Sequence, residues 1–427
     1  MIDAELIAGH NASRLAPLET DLAHAAAVLG RTGRSAEAVV AEVARFSVAA
    51  PSWAVGTGGT RFGRFPGGGE PRNTYEKIDD VAALNAVTGA NRTVSLHVPW
   101  DDPDDPDGLR QYAADAGIGF DAMNSNTFQD NPSTTAGGAV SYKFGSLANV
   151  DAGARKAAVE HNLYVIDLGV RLGSRALTVW LADGTNHPGQ ASFRGQFERV
   201  AEGLADIHSH LPPDWEMYTE HKPFEPAFYS SVNPDWGTSL LLARAAGERC
   251  KCLVDLGHHL PNTNIEQVVS RLAMVGRLGG FHFNDSSYGD DDLTTGSVTP
   301  YRLFLILLEL IDAGGGSMPP LAYMLDESHN LKDPLEDLIQ ATDALQLALA
   351  QALCVDRQAL AEAQEANDPA GAAEVLQAAY RSDVRPLVAE ARRRNGAAID
   401  PLGAFRAAGY RRTVTDQRGS TARATGL

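Results

Sequence analysis

Eight short apolar runs, each ending in polar residues or glycine and most separated by an amphipathic helical pattern, constrain this chain more than any other feature. The runs cover residues 52–58, 94–100, 119–126, 176–183, 216–222, 251–258, 280–285 and 321–327. Apolar residues at helical spacing fill 77–87, 154–172, 193–207, 239–246, 264–275 and 300–311 between them. Thr263 and Glu266 have the spacing of a capping box at the start of one such helix. Buried parallel strands alternating with helices are βα units, and eight units in roughly 250 residues predict a closed (β/α)8 TIM barrel. An open doubly wound sheet is the rival, but it rarely needs eight regular repeats.

Residues 3–46 read as helical, ahead of the first strand. After Asp333 the pattern is wholly helical, over 334–353, 357–366, 370–381 and 383–394. These patterns divide the chain into an N-terminal helical segment (1–50), a catalytic barrel (51–352) and a C-terminal helical extension (353–427), plausible for oligomer contacts. The last stretch, 416–427, is small and polar and is expected to be disordered.

Composition narrows the function. The 427 residues are 44% hydrophobic, ample for a large core, and carry a formal charge of -18. That balance argues against a nucleic-acid partner, whose phosphates need a basic face. Three cysteines (Cys250, Cys252 and Cys354) cannot build a disulfide framework. The start, MIDAELIAGHNASRLAP, has no basic region followed by a long apolar run, and no apolar window approaches the roughly 20 residues of a membrane span. These features predict a soluble, cytoplasmic protein.

The polar residues fall where a barrel does chemistry. His97, Asn124, Asn126, Trp180, Asp183, Glu220, Lys222, Asp255, His258, His282, Asp285 and Asp326 all lie at the C-terminal ends of their runs. That rim holds the active site of barrel enzymes. The densest stretch is GFHFNDSSYGDDDL (280–293), where an apolar run carries His282, Asn284 and Asp285 out of a core and three aspartates follow. Each group has a plain structural alternative: a local Glu220–Lys222 ion pair, an Asp255 cap, a core histidine at 282, a solvated turn at 290–292. Their meeting on one rim is what favours chemistry. Glu220, Asp255, Asp290, Asp292 and Asp326 bring five negative charges, Lys222 leaves four, and two divalent cations supply the balance. Carboxylates about 4 Å apart repel by roughly 4 kcal/mol per pair at an effective dielectric of 20. Oxygen ligands with a few imidazoles suit Mn²⁺, Mg²⁺ or Co²⁺ better than a thiolate zinc site. Cys250 and Cys252 sit at the opposite end of their strand and read as core.

Other motifs are weaker. The glycine-rich stretch 56–69 lacks the Gly-Lys-Ser/Thr of a phosphate-binding loop; its Phe62 and Phe65 read as part of a flap over a pocket. No Gly-x-Ser-x-Gly elbow marks a serine hydrolase.

PSWAVGTGGTRFGRFPG, SLHVPWD, GFDAMNSNTF, SYKFGSL, ALTVWLADG, TEHKPFEPAFYS, CLVDLGHHLPNTNIE, GGFHFNDSSYGDDDL and LDESHN resemble the L-rhamnose isomerase family in its broad-specificity bacterial branch. The resemblance runs from about Pro51 to Arg412. Ser287 departs from it, standing where a basic residue is expected before Tyr-Gly-Asp. The resemblance implies a structural metal on Glu220, Asp255, His282 and Asp326. It also implies a catalytic metal on His258, Asp290 and Asp292, with Asp255 the bridge. It implies that Lys222 bonds the sugar near O1, that His97 and Trp180 line the pocket, and that His97 assists ring opening. Trp53 would form an apolar wall, and Phe62 would reach a neighbouring subunit's site in a metal-dependent homotetramer, most simply with Mn²⁺.

The expected reaction interconverts L-rhamnose and L-rhamnulose, with L-mannose, L-lyxose and D-allose as further substrates. A 1,2-hydride shift needs both sugar oxygens held and polarised and no base at carbon. An enediol route would need a base, for which Asp326 is the candidate. The competing readings are a metal-dependent epimerase or phosphodiester hydrolase on the same barrel, and a non-catalytic sugar-binding protein.

Overall fold

The computed structural model describes residues 2–31, 33–56, 67–130, 140–224, 228–327 and 331–420. Phe62, expected at a neighbouring site, lies outside the described residues. Among the described residues, ten strand segments run in parallel register. In chain order they are β1 (Ala50–Pro51), β2 (Thr93–Ser95), β3 (His97–Val98), β4 (Gly119–Phe120), β5 (Met123–Ser125), β6 (Ala176–Trp180), β7 (Glu216–Glu220), β8 (Cys250–Asp255), β9 (Leu278–Phe283) and β10 (Ala322–Leu325). They form a three-stranded sheet, β1-β2-β4, and a seven-stranded sheet, β10-β9-β8-β7-β6-β5-β3. The pairs β2/β3 and β4/β5 are consecutive pieces of two runs, interrupted at Leu96 and at Asp121–Ala122. The two sheets also meet at the far edge, where Ala49 N–H donates to Tyr323 O and Leu325 N–H to Ala49 O. A curled parallel sheet of this kind fits an α/β barrel.

Seven of the eight expected strand positions stand within a few residues of the apolar runs. The first is displaced: the strand is Ala50–Pro51, and Ser52–Val55 turns at once into a short helix. The expected capping box is displaced too. The N-cap is Asn264, whose side chain accepts from Gln267 N, while the Thr263 hydroxyl donates to Leu260 O.

The helices between strands bury one face. Pro300–Ala313 buries Leu303, Phe304, Ile306, Leu307, Leu308, Leu310 and Ile311, and each such side chain contributes roughly 1.5–3 kcal/mol on leaving water. Three other helices start with one device, Asp-Pro-x-Gly, at 105–108, 368–371 and 400–403. In each the aspartate caps the helix by accepting from the glycine N–H, and proline takes the first helical position. A Cβ on Gly108, Gly371 or Gly403 would collide with the capping carboxylate, so glycine is what lets the cap close.

Three helices, Ala4–Ala12, Leu15–Gly30 and Ala36–Arg45, precede the first strand. They pack against the chain's other end: Glu37 pairs with Arg394 at 2.5 and 2.7 Å, and Asn11 bonds Ala397 O and Ile399 N. After Pro334–Leu353 come Arg357–Glu365, Pro369–Tyr380, Arg385–Arg394, Pro401–Ala408 and Tyr410–Arg418. The last two lie beyond the expected helical patterns. Tyr410–Arg418 carries Arg418, nearly fully buried, onto Asp80 Oδ1 (2.8 Å) and Gly69 O (3.1 Å). Gly69 has φ +75, and a Cβ there would come within 2.8 Å of Thr415 N; only glycine fits that crossing. Among the described residues no single helix is long and apolar enough to cross a membrane.

Candidate metal centre

The ends of four adjacent strands converge on one acidic centre. Glu220 ends β7, Asp255 ends β8, His282 is the penultimate residue of β9, and Asp326 follows β10. Parallel register sets Asp255 opposite His282, and His282 opposite Met324. Because alternate strand residues face the same side, these groups leave the apolar core together at its C-terminal rim.

One nitrogen shows how crowded the centre is. Nδ1 of His282 lies 3.1 Å from Glu220 Oε1, 3.2 Å from Asp326 Oδ2 and 3.8 Å from Asp255 Oδ2. A single N–H cannot satisfy three carboxylate oxygens, whereas a divalent cation takes several oxygens at once. Ligand atoms of Glu220, Asp255, His282 and Asp326 all lie within 4.8 Å of one another, as do those of Asp255, His258 and Asp290. The two groups share Asp255. This buried set can hold a divalent metal, and its oxygen-rich donors favour a hard cation.

The electrostatics follow from that crowding. Burial opposes charge on His282, but Glu220 and Asp326 outweigh it and push the imidazole up to about 10. His258 is likewise raised well above the ordinary histidine range, with Asp255 and Asp290 overcoming burial. Its Nδ1 faces Glu220 Oε1 at 3.1 Å and its Nε2 faces Asp290 Oδ1 at 3.2 Å. Burial would raise Glu220, yet the His282 and His258 imidazoles hold it well below the usual range. Asp255 is pushed up to about 7 by burial and by Asp326 and Glu220. Asp292 is raised further by burial and by Asp290, with which it shares a hydrogen bond. Asp292 stands beside the second group and outside the three residues that compose it.

The remaining expected residues frame this centre. Lys222 pairs with Asp290 Oδ2 at 2.6 Å rather than with Glu220, and its Nζ sits 4.8 Å from the centre of the Trp180 ring. His97 packs among Trp53, Trp100 and Phe128 at ring distances of 5.4, 4.9 and 5.5 Å, and Phe128 meets Trp180 at 4.5 Å. Burial drives the His97 imidazole down to about 4, so it is neutral near pH 7. Aromatic faces on one side and carboxylates on the other suit a polyhydroxylated ligand with an apolar edge.

Two rim residues do other work. Asp183 accepts from Ser146 N and Oγ and from Ala148 N, pinning the preceding loop. Asp285 accepts from Val298 N, Thr299 N and Thr299 Oγ1. Its own N–H and C=O pair with Leu293, folding 286–292 back over the centre. Reasoning from sequence assigned no role to Phe128, Trp100, Lys77 or Asp101, and named Asn284 beside His282 without a partner. Asn284 donates to both Asp255 oxygens at 3.0 and 3.2 Å and to Asp326 O. Its position two residues after His282, on the same face, was the available signal. Asp101 accepts from the His97 N–H, from Lys77 Nζ and from the Ser52 hydroxyl, which fixes the backbone under His97.

No family model matches the chain. It is 53% identical over 421 residues to a probable sugar isomerase of Mesorhizobium japonicum, covering 98% of this chain and 96% of the relative. It is 51% identical over 425 residues to a probable sugar isomerase of Rhizobium meliloti, covering 99% and 98%. Among solved structures, an L-ribulose 3-epimerase matches with a TM-score of 0.52 at 14% identity, over 72% of this chain and 95% of that one. At that identity the likeness concerns the fold alone.

Proposed function

This chain belongs to the family of these two probable sugar isomerases, and from that premise we propose that it is a metal-dependent aldose–ketose isomerase. Its substrate is L-rhamnose, converted to L-rhamnulose, with L-mannose, L-lyxose and D-allose as further substrates. The observation that carries the reading is the pair of ligand groups sharing Asp255. Abstracting a proton at one carbon needs one held oxygen, whereas moving hydrogen between C1 and C2 needs both neighbouring oxygens fixed. Two cations, Mn²⁺ in the simplest case, supply Lewis acidity toward those oxygens. Glu220, Asp255, His282 and Asp326 would hold one; His258, Asp290 and Asp255, with Asp292 beside them, the other.

The chain's own residues do the rest. Lys222 donates to the sugar oxygen at C1, its ammonium kept in place by the Trp180 face. Trp53, His97, Trp180 and Phe128 present apolar surface to the carbon skeleton and exclude water. Neutral His97 can pass a proton between ring and hydroxyl oxygens as the sugar opens. A 1,2-hydride shift then requires no base at carbon.

In the same reading the two sheets form one closed (β/α)8 barrel, joined through Ala49 and Tyr323. The enzyme works in the cytoplasm as a homotetramer, with Phe62 serving a neighbouring site. The test is an aldose panel assayed after chelation, with and without Mn²⁺. Ketose formed from L-rhamnose only with metal is the expected result. No ketose under either condition would sink the reading, and deuterium entering from solvent at the migrating position would replace the hydride shift with proton transfer.

A further inference from the structure

The two ligand groups differ in their counter-charge, a difference whose meaning rests on the chain being metal-dependent. Among the described residues, no lysine or arginine pairs with Glu220, Asp255, His282 or Asp326. The second group is different. Lys222 Nζ lies 2.6 Å from Asp290 Oδ2 while His258 Nε2 faces the other oxygen at 3.2 Å. Both side chains of the Lys222–Asp290 pair are under a tenth exposed. Lys222 is also fixed at its backbone, where its N–H donates to Asn233 O at 3.0 Å, and its ammonium lies over the Trp180 ring. The ammonium therefore engages an oxygen that a cation on Asp255, His258 and Asp290 would use.

We propose that Lys222 is a built-in competitor for the cation at the Asp255–His258–Asp290 group, so that the two sites load in a fixed order. A buried carboxylate without a counter-charge is strongly destabilising. Lys222 supplies that charge until a cation arrives, and the incoming cation must displace it. The first group has only the His282 imidazole among its carboxylates and no ammonium to displace, so it fills first. The second fills at higher cation concentration, and its filling frees the Lys222 ammonium, still over Trp180, for a sugar oxygen. Lys222 thus links occupancy of the second site to readiness for substrate.

The test is calorimetric titration of chelator-stripped protein with MnCl₂, which reads binding independently of turnover. Wild type should show two steps. In Lys222→Met the second step should tighten roughly ten-fold or more, about 1.4 kcal/mol, with the first step unchanged. Lys222→Arg, which keeps the charge, should retain the weak second step. Stripped Lys222→Met should also melt below stripped wild type, and the gap should close on saturation with Mn²⁺. Lys222→Gln serves the same comparison if the methionine variant does not fold. A second step that is unchanged or weaker in a folded neutral variant overturns the proposal, as do two wild-type steps of equal affinity. Absence of any Mn²⁺ binding in wild type would instead overturn the metal-dependent function itself.

Discussion

Trp53 donates its indole N–H to Oδ1 of Asp326 at 2.9 Å, tying the chain just after the first strand to the chain just after the last. The ring does more than offer an apolar wall: it aims a carboxylate whose other oxygen faces His282. A hydrogen bond to a charged acceptor is worth about 1.5–3 kcal/mol. Trp53→Phe keeps the apolar face and removes the donor. We expect kcat/KM on the preferred aldose to fall roughly ten-fold or more while the fold persists, measured by steady-state kinetics beside circular dichroism. Unchanged kcat/KM would reduce Trp53 to packing.

Asp183 illustrates the opposite case, a rim carboxylate that serves architecture. It is 1% exposed and gathers Ser146 N, Ser146 Oγ and Ala148 N. Removing it orphans three buried donors, each costing about 1–3 kcal/mol. Asp183→Ala should lower stability by about 3 kcal/mol or more and open 140–150 to proteolysis, with Asp183→Asn intermediate. Thermal melting and limited proteolysis check this.

That contrast marks what the sequence made legible. The strand ends were readable because apolar runs stop abruptly at His282, Asp255 and Glu220, and period two then fixes which neighbours share a face. Asp183 and Asp285 passed the same filter as the ligands. Whether a rim carboxylate meets other ligands or backbone N–H groups depends on loops that periodicity does not describe. The Lys222–Asp290 pair joins residues from two different loops, so the local alternative, Glu220–Lys222, looked equally good. Helices 106–115 and 401–408 could have been placed from Asp-Pro-x-Gly alone, a start signal independent of apolar period that also opens the expected helix at 369–380. The first strand was misplaced because SWAV reads equally well as strand or helix when only four residues long.

Asp80 gives a pH dependence away from the metal centre. It is fully buried, bonded by Tyr410 O–H at 2.7 Å and Arg418 Nη1 at 2.8 Å. Burial, outweighing those partners, pushes its carboxyl up to about 6. A carboxyl raised above its unfolded value binds its proton more tightly in the folded state. Its contribution to stability is therefore full below about pH 4 and is lost as pH rises through about 6. Two units correspond to about 3 kcal/mol. Asp80→Asn keeps the acceptor oxygen and lacks the titration. The stability of wild type relative to Asp80→Asn should fall by about that amount between about pH 4 and pH 7. Urea midpoints of metal-stripped protein at both pH values measure it; a constant difference would mean Asp80 ionises normally.

His258 is where the two ligand groups touch: its Nδ1 faces Glu220 of the first at 3.1 Å and its Nε2 faces Asp290 of the second at 3.2 Å. His258→Ala would remove a ligand of the second group and leave all four of the first in place. Turnover should fall by a factor on the order of 10² or more, the scale seen when one electrostatic contact to the reacting oxygens is lost. Mn²⁺ titration should keep its first step and lose or greatly weaken its second. His282→Ala should do the reverse, weakening the tight step, because it removes one of the four ligands of the first group. The pair of variants separates the sites by which binding step each weakens. If His258→Ala turns over like wild type, the catalytic cation does not sit on His258, Asp290 and Asp255.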